Sequence, residues 1–395
     1  MKNNNPKIIV SLACFSFLVG GIFNGAIGPL LGSFASQTHS TIGVIGGVIT
    51  AIFLGAWIAQ ITAGPIADSV GNKIVLTVSM LMVAVGILGL TLAHSIAWMF
   101  FYFFLTGVGQ GGMNLTTNVL VANAYPEKST SYLNLLHFFF GLGAFSGPAI
   151  VSLILRLNGP EMLAEWIPSG LFVVAVLLYL FLYRDDKPEK EASDTASTAP
   201  KASIYRSPVL WMIGLMLLVY VGIEYGVGSW STTLMQVNSG MSTATGALVT
   251  SAYWGVFTIG RLSGAFLSSK MTIRKLLSLT VSGVLVCGVA FTLLLGTTAG
   301  TIIALVAIGL CLGPIFPTTI ALTTRTFSKD QGKAYGLVGS MSSIGGVTIP
   351  WIQGVLLEQY SALSFALFVV FIMVLMLVFY QIVLRLSRKN GIQVN

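Results

Sequence analysis

Charge is what this chain has least of. Asp, Glu, Lys and Arg make up 8% of its 395 residues, with twelve acids and three histidines in all. Apolar residues reach 55%, and mean hydropathy is +0.89, which excludes an ordinary water-soluble domain. Three cysteines, Cys14, Cys287 and Cys311, sit in apolar segments, so neither a disulfide framework nor a thiolate metal site is expected. No nucleotide-binding loop, zinc-ligand spacing or nucleophile elbow occurs, which argues against an enzyme and against an ATP-driven pump; no cofactor is expected. The formal charge of +8 comes from basic residues scattered among loops, without the basic patch or aromatic groove that nucleic acid needs.

What the chain does have is long apolar runs. Stretches of about twenty residues or more, each enough to cross a bilayer, fall at 8–33, 41–67, 73–93, 97–124, 131–155 and 164–184, and again at 207–235, 241–269, 274–296, 299–326, 332–357 and 361–387. The opening MKNNNPK and the run after it imitate a secretory signal, but the run is too long and lacks a small-residue cleavage site, so it is read as an uncleaved first span. The expected fold is all-α and polytopic: twelve transmembrane helices in two pseudo-symmetric six-helix bundles, 1–184 and 207–395. The polar stretch 185–206, rich in Ala, Ser, Pro and balanced charge, reads as a flexible linker between them.

Basic residues orient the ladder. With the amino terminus in the cytoplasm, every one of the 20 Lys and Arg except Arg156 falls on the cytoplasmic side. The positive-inside rule therefore places both termini and the linker in the cytoplasm of a cell whose plasma membrane the chain spans. The halves also repeat. "GPIADSVGNKIVL" after span two is matched by "GAFLSSKMTIRKL" after span eight, 200 residues on, and residues 124–148 face 326–350 at an offset of 202. Two matches in order at nearly one offset indicate a duplicated six-span unit.

The loop after span two resembles the signature of the major facilitator superfamily, Gly-x-x-x-Asp-x-x-Gly-x-x/Lys. It is carried here by Gly64, Asp68, Gly71 and Lys73, with Ser69 and Asn72 where that family usually has basic residues. Together with twelve spans, repeat and linker, the resemblance covers the whole chain. "GIEYGVGSW", "YWGVFTIGRLSGAFLSSK", "LNLLHFFFGLGAFSGP" and "GLCLGPIFPTTIAL" look like the fucose and glucose permease branch, mostly proton-coupled or sodium-coupled sugar symporters. By this resemblance Asp68, Gly64, Gly71 and Lys73 form a cytoplasmic gate holding the halves together, with Arg261 nearby at the same side of span eight.

One acid lies deep. Glu224, in "YVGIEYGVGSW", sits past the middle of span seven, while the other eleven acids are in loops or at span ends. A carboxylate at bilayer depth is costly, so it is read as the group that binds a proton or sodium ion. Gly222, Gly226 and Gly228 around it let neighbouring helices approach or let the span break around a ligand. A Glu that only hydrogen-bonds a neighbouring helix is the structural alternative. His137 in span five is a candidate proton relay or, equally, a hydrogen-bonding residue.

Neutral amides mark a solute site. Gln110, Asn114 and Asn118 recur every four residues on one face of span four, and Asn24 lies in span one. Amides that both donate and accept suit a hydroxyl-rich ligand; helix-to-helix bonding is the alternative. Trp230, Tyr253, Trp254 and Trp351 are candidates to stack on a sugar ring. Arg261 and Arg325 lie near the cytoplasmic ends of their spans, so no cation is expected at the midplane and anionic cargo is disfavoured. The leading expectation is a monomeric secondary transporter that moves a small neutral solute, a sugar, inward by proton or sodium symport with alternating access. A proton-driven drug or metabolite exporter, and a receptor or scramblase on a transporter scaffold, are the competing readings.

Overall fold

The structure is a computed structural model that describes residues 5–125, 129–183, 204–268, 270–327 and 331–389. Its helices are α1 (Pro6–Gln37), α2 (Ile42–Val70), α3 (Asn72–Leu92), α4 (Ile96–Ala124), α5 (Ser129–Arg156), α6 (Leu163–Leu182), α7 (Pro208–Ser239), α8 (Thr243–Ser268), α9 (Ile273–Leu294), α10 (Thr298–Leu312), α11 (Ile315–Thr326), α12 (Gln331–Gln359) and α13 (Ala362–Lys389). Each expected span is a helix except the tenth, which is two: α10 stops at Leu312 and α11 starts at Ile315, either side of Gly313 and Pro314. A proline cannot donate to the ladder and crowds the preceding turn, so the break falls there. The linker assigned to 185–206 lies outside the described residues apart from a short 3-10 turn at Ile204–Arg206.

Helix ends follow local chemistry. Pro6 and Pro208 open α1 and α7 at positions where their missing N–H costs nothing, and the Asn5 side chain accepts from the Lys7 N–H at 3.0 Å. Gly71 turns α2 into α3 at φ 92°, a conformation that a side chain resists, which gives this motif glycine a structural reason to be there. Gly240 ends α7 in the left-handed conformation at φ 64°.

Nine spans among the described residues are long and apolar enough to cross a membrane, one of them formed by α10 and α11 together. The three left over, α4, α8 and α12, carry polar residues on inward faces: Gln110, Asn114 and Asn118, then Arg261, then the fully buried Gln353. α1 and α7 form the centre, with 72% of each apolar window buried against 33% for α13.

Packing repeats with the sequence. In the first half Gly143 of α5 lies against the Leu18 carbonyl of α1, and in the second Gly345 of α12 lies against the Leu218 carbonyl of α7. Gly107 and Gly111 of α4 press on Ile52 and Ala56 of α2, while Gly309 and Gly313 press on Tyr253 and Phe257 of α8. These glycines pair at an offset of 202 (345 less 143, 309 less 107, 313 less 111), so the duplication is carried by helix contacts that admit no side chain.

Among the described residues, polar contacts join the halves. Away from the chain termini, Thr50 of α2 donates to the Val347 carbonyl of α12 at 2.9 Å, and Ser251 of α8 donates to the Phe145 carbonyl of α5 at 2.6 Å. Phe53 meets Tyr225 edge-on at 4.8 Å, and Gly28 of α1 lies against the Ser229 backbone of α7. Toward the face that carries the termini, Gln60, Ile61 and Thr62 of α2 are exposed on successive sides of the helix. On that face a side chain at Gly336 or Gly339 of α12 would meet nothing within 4 Å among the described residues. Among the described residues, α2 and α12 are thus exposed toward the terminal face.

Candidate functional site

Glu224 lies halfway along the 32-residue α7, nearer the middle than the sequence spans suggest, because α7 runs on to Ser239. The helix does not break there. Gly222, Gly226 and Gly228 instead receive Ile349, Gln353 and the Trp254 ring, so they serve close packing rather than unwinding.

The acid is not alone. Arg261 of α8 donates from Nη2 to Glu224 Oε1 at 3.2 Å, with side-chain exposures of 17% and 5%. This corrects the expectation that no cation reaches the interior and that Arg261 belongs to a gate at the span end. α8 runs antiparallel to α7, and Arg261 stands about two turns from its end, so a long side chain can reach back along the apolar surface to the acid. Phe257 offers its ring face to the guanidinium at 4.6 Å. Arg261 Nε is buried without a hydrogen-bond partner, and the Tyr220 hydroxyl, one helical turn before Glu224, is buried beside the carboxylate. Tyr253 donates to the Glu224 carbonyl at 3.0 Å and ties α8 to α7. From the other half, His137 of α5 lies within electrostatic reach of Arg261, its ring edge-on to Phe17 at 5.7 Å. The two ion-coupling candidates thus share one neighbourhood across the boundary between halves.

The amide set is also brought together. Asn24 of α1 donates to the Gln110 side-chain oxygen of α4 at 3.1 Å and to the Gly20 carbonyl at 2.8 Å. Asn118 donates to the Asn114 carbonyl at 2.7 Å. All four stay half-buried, and Gln110 Nε2 has no partner.

Aromatic candidates fare differently. Trp230 is fully buried, donates to the Pro350 carbonyl at 2.8 Å and fills the contact with Gly46 and Gly354, so it is a packing residue and not an open stacking face. Tyr253 and Trp254 are likewise buried, packed with Phe257. Trp351 is 49% exposed and borders a cleft with Gly47, Thr50, Phe100, Val347 and Thr348, a lining that does not include Glu224. Among gate residues, Lys73 donates to the Leu180 carbonyl at 2.9 Å, at the end of α6 in its own half. Gly64 and Asp68 lie within α2, and their surroundings fall outside the described residues.

Sequence reading missed two buried polar groups. Gln353 is wholly buried against Gly226 with neither amide atom partnered, and Glu165, assigned to a span end, is wholly buried in the first turn of α6 with both oxygens unpartnered. Gln353 stands in an apolar run as Glu224 does, a signal that an amide, being uncharged, makes faint. The position of Glu165 after a loop conceals it. Among the described residues no group of three His, Cys, Asp or Glu could hold a metal ion.

Two pseudo-equivalent helical bundles packed around a buried polar centre define the class, a multi-pass membrane transporter. The profile of the Major Facilitator Superfamily matches residues 13–308 and 297–393, and the chain belongs to that family. It is similar to the human sodium-dependent glucose transporter 1, 22% identical over 393 residues that cover 90% of this chain and 75% of that one. It is also similar to the nitrite extrusion protein of Bacillus subtilis (strain 168), 24% identical over 355 residues, 88% of this chain and 87% of that one. The crystal structure of the E. coli fucose:proton symporter shares the fold, with a TM-score of 0.68 at 18% identity, covering 95% of this chain and 98% of that one.

Proposed function

We propose that this chain is a secondary active transporter that couples a proton to the inward movement of a small hydroxyl-bearing solute of the sugar class. The observation that carries the reading is the buried Glu224 to Arg261 pair, halfway along α7, with His137 of the other half within electrostatic reach. An ionisable pair inside a membrane marks an ion or solute path by default. The amides of Asn24, Gln110, Asn114 and Asn118 offer donors and acceptors to hydroxyls, and the names of two relatives, a glucose transporter and a fucose symporter, favour the same class. With the termini cytoplasmic, as the positive-inside rule places them, the exposed face of α2 and α12 is the cytoplasmic one. Rocking of the halves would close it and open the other. Asp68 and the loop after α2 act in that motion as a cytoplasmic latch, and the protein works as a monomer.

A second reading, extrusion driven by proton exchange, is favoured by the similarity to the nitrite extrusion protein. The purified chain should gain thermal stability with sugars and not with amphipathic cations, with or without sodium. In proteoliposomes an inside-alkaline gradient should drive sugar accumulation, and Glu224→Gln should abolish accumulation while exchange continues. Accumulation that survives Glu224→Gln, or that responds to sodium alone, would overturn the proton assignment. Stabilisation by cations alone would favour extrusion.

A further inference from the structure

Glu224 and Arg261 neutralise each other where they pair, and any coupling ion that binds Glu224 changes that balance. If a proton occupies Glu224 and the cargo is neutral, the guanidinium of Arg261 is left inside the protein without a counter-charge, because Glu224 is the acid it touches among the described residues. An uncompensated buried charge is the costly outcome of breaking such a pair. If the cargo carries one negative charge, it takes the place of Glu224 on Arg261, and the loaded site is again neutral. The geometry suits that exchange. Arg261 is the more exposed partner, 17% against 5%, so the guanidinium is the more accessible of the two to a solute. The present contact uses only Nη2, and Nε is buried with no partner, which leaves a second donor of the guanidinium fork for a two-oxygen acceptor. Phe257 flanks the guanidinium from its ring face, and that contact does not occupy the fork edge.

We propose that the cargo of this site is a hydroxylated monocarboxylate, a sugar acid, whose carboxylate displaces Glu224 from Arg261 while Glu224 receives the transported proton. The proposal rests on the reading of a proton-coupled solute site at Glu224 and narrows its substrate class. The proton enters with the anion from one side and leaves with it on the other, so one cycle moves no net charge. The titratable neighbours of Glu224 are Tyr220 and Tyr225 on α7 and Tyr253 and Arg261 on α8, with His137 of α5 facing Arg261. The amides of the first half then bind the hydroxyls, as they would for a neutral sugar.

Calorimetric titration of the purified full chain with glucuronate, glucuronamide and glucose tests this, because the first two share their hydroxyls and differ only where a neutral amide replaces the carboxylate. Glu224→Gln should bind glucuronate at least ten-fold more tightly than glucuronamide, and Arg261→Gln should erase the preference. Wild-type protein supplies the same comparison should the variant fail to fold: glucuronate affinity should rise between pH 7.5 and pH 5.5, and glucuronamide affinity should not. In proteoliposomes, glucuronate uptake under an inside-alkaline gradient should be indifferent to an imposed membrane potential. Binding of glucose or glucuronamide as tight as that of glucuronate, or uptake that generates current, would overturn the acidic cargo while leaving a proton-coupled sugar transporter in place. Binding of none of the three would overturn both.

Discussion

Arg261 and Glu224 stand or fall as a pair. Removing one partner of a buried ion pair strands the other and typically costs about 3–5 kcal/mol, whereas replacing both often costs little. Arg261→Gln should therefore lower the melting temperature of the purified protein by several degrees, and Arg261→Gln with Glu224→Gln should recover most of the loss. A double-mutant cycle that gives additive effects would show that the contact carries no energy. Glu165 has no such partner, and an unpaired buried carboxylate gains nothing from its site. Glu165→Gln should leave thermal stability equal or higher and solute uptake unchanged; a marked loss of either would reveal a role for the acid. At this scale the sequence disclosed Glu224, because a charge in an apolar run is conspicuous. It concealed Arg261, whose place near the end of α8 says nothing about how far its side chain reaches. It concealed Gln353 too, since an uncharged amide barely dents an apolar run.

Elements are joined here by glycine. α5 crosses α1 through Gly143 and Gly147, and α12 crosses α7 through Gly345, each against backbone. A leucine at Gly143 or Gly345 must push two helices apart, and overpacking of this kind costs typically about 1–3 kcal/mol. Either substitution should reduce melting temperature and folded yield in detergent, whereas Gly336→Leu, on an open stretch of α12, should not. Equal damage at all three would refute the crossing argument. Helix identity and length were legible from apolar runs, since a bilayer demands about twenty residues per span. Pro314 and Pro317 mark span ten as one that can bend, but its full division into two helices is not legible from them. Prolines inside α1, α5, α6 and α12 leave those helices whole, so a proline alone does not announce a break.

For the whole molecule, the contact between Thr50 and Val347 must open if the halves rock about the central site. With Cys14, Cys287 and Cys311 replaced by serine, a short cross-linker between cysteines at Thr50 and Val347 should stop solute uptake, and cleavage of the linker should restore it. Undiminished uptake by the cross-linked protein would exclude motion at that contact. Spin labels at Ile61 and Gly336, on the terminal face, should move closer when substrate and an inside-alkaline gradient are supplied; an unchanged distance would exclude closure there.

The sequence by itself determined the membrane, the number of spans and the duplication, because lipid allows only long apolar helices and because a repeat preserves its spacing. Its offset of about 200 reappears as helix contacts at 202. It also marked Glu224, an acid that could not be there for solubility. Only the tertiary structure decided that this acid has a basic partner, that His137 shares its neighbourhood, that Trp230 is packing and that Trp351 is exposed. The physical reason is that burial and pairing depend on how antiparallel helices are rotated and staggered against each other, and neither rotation nor stagger is written in hydropathy.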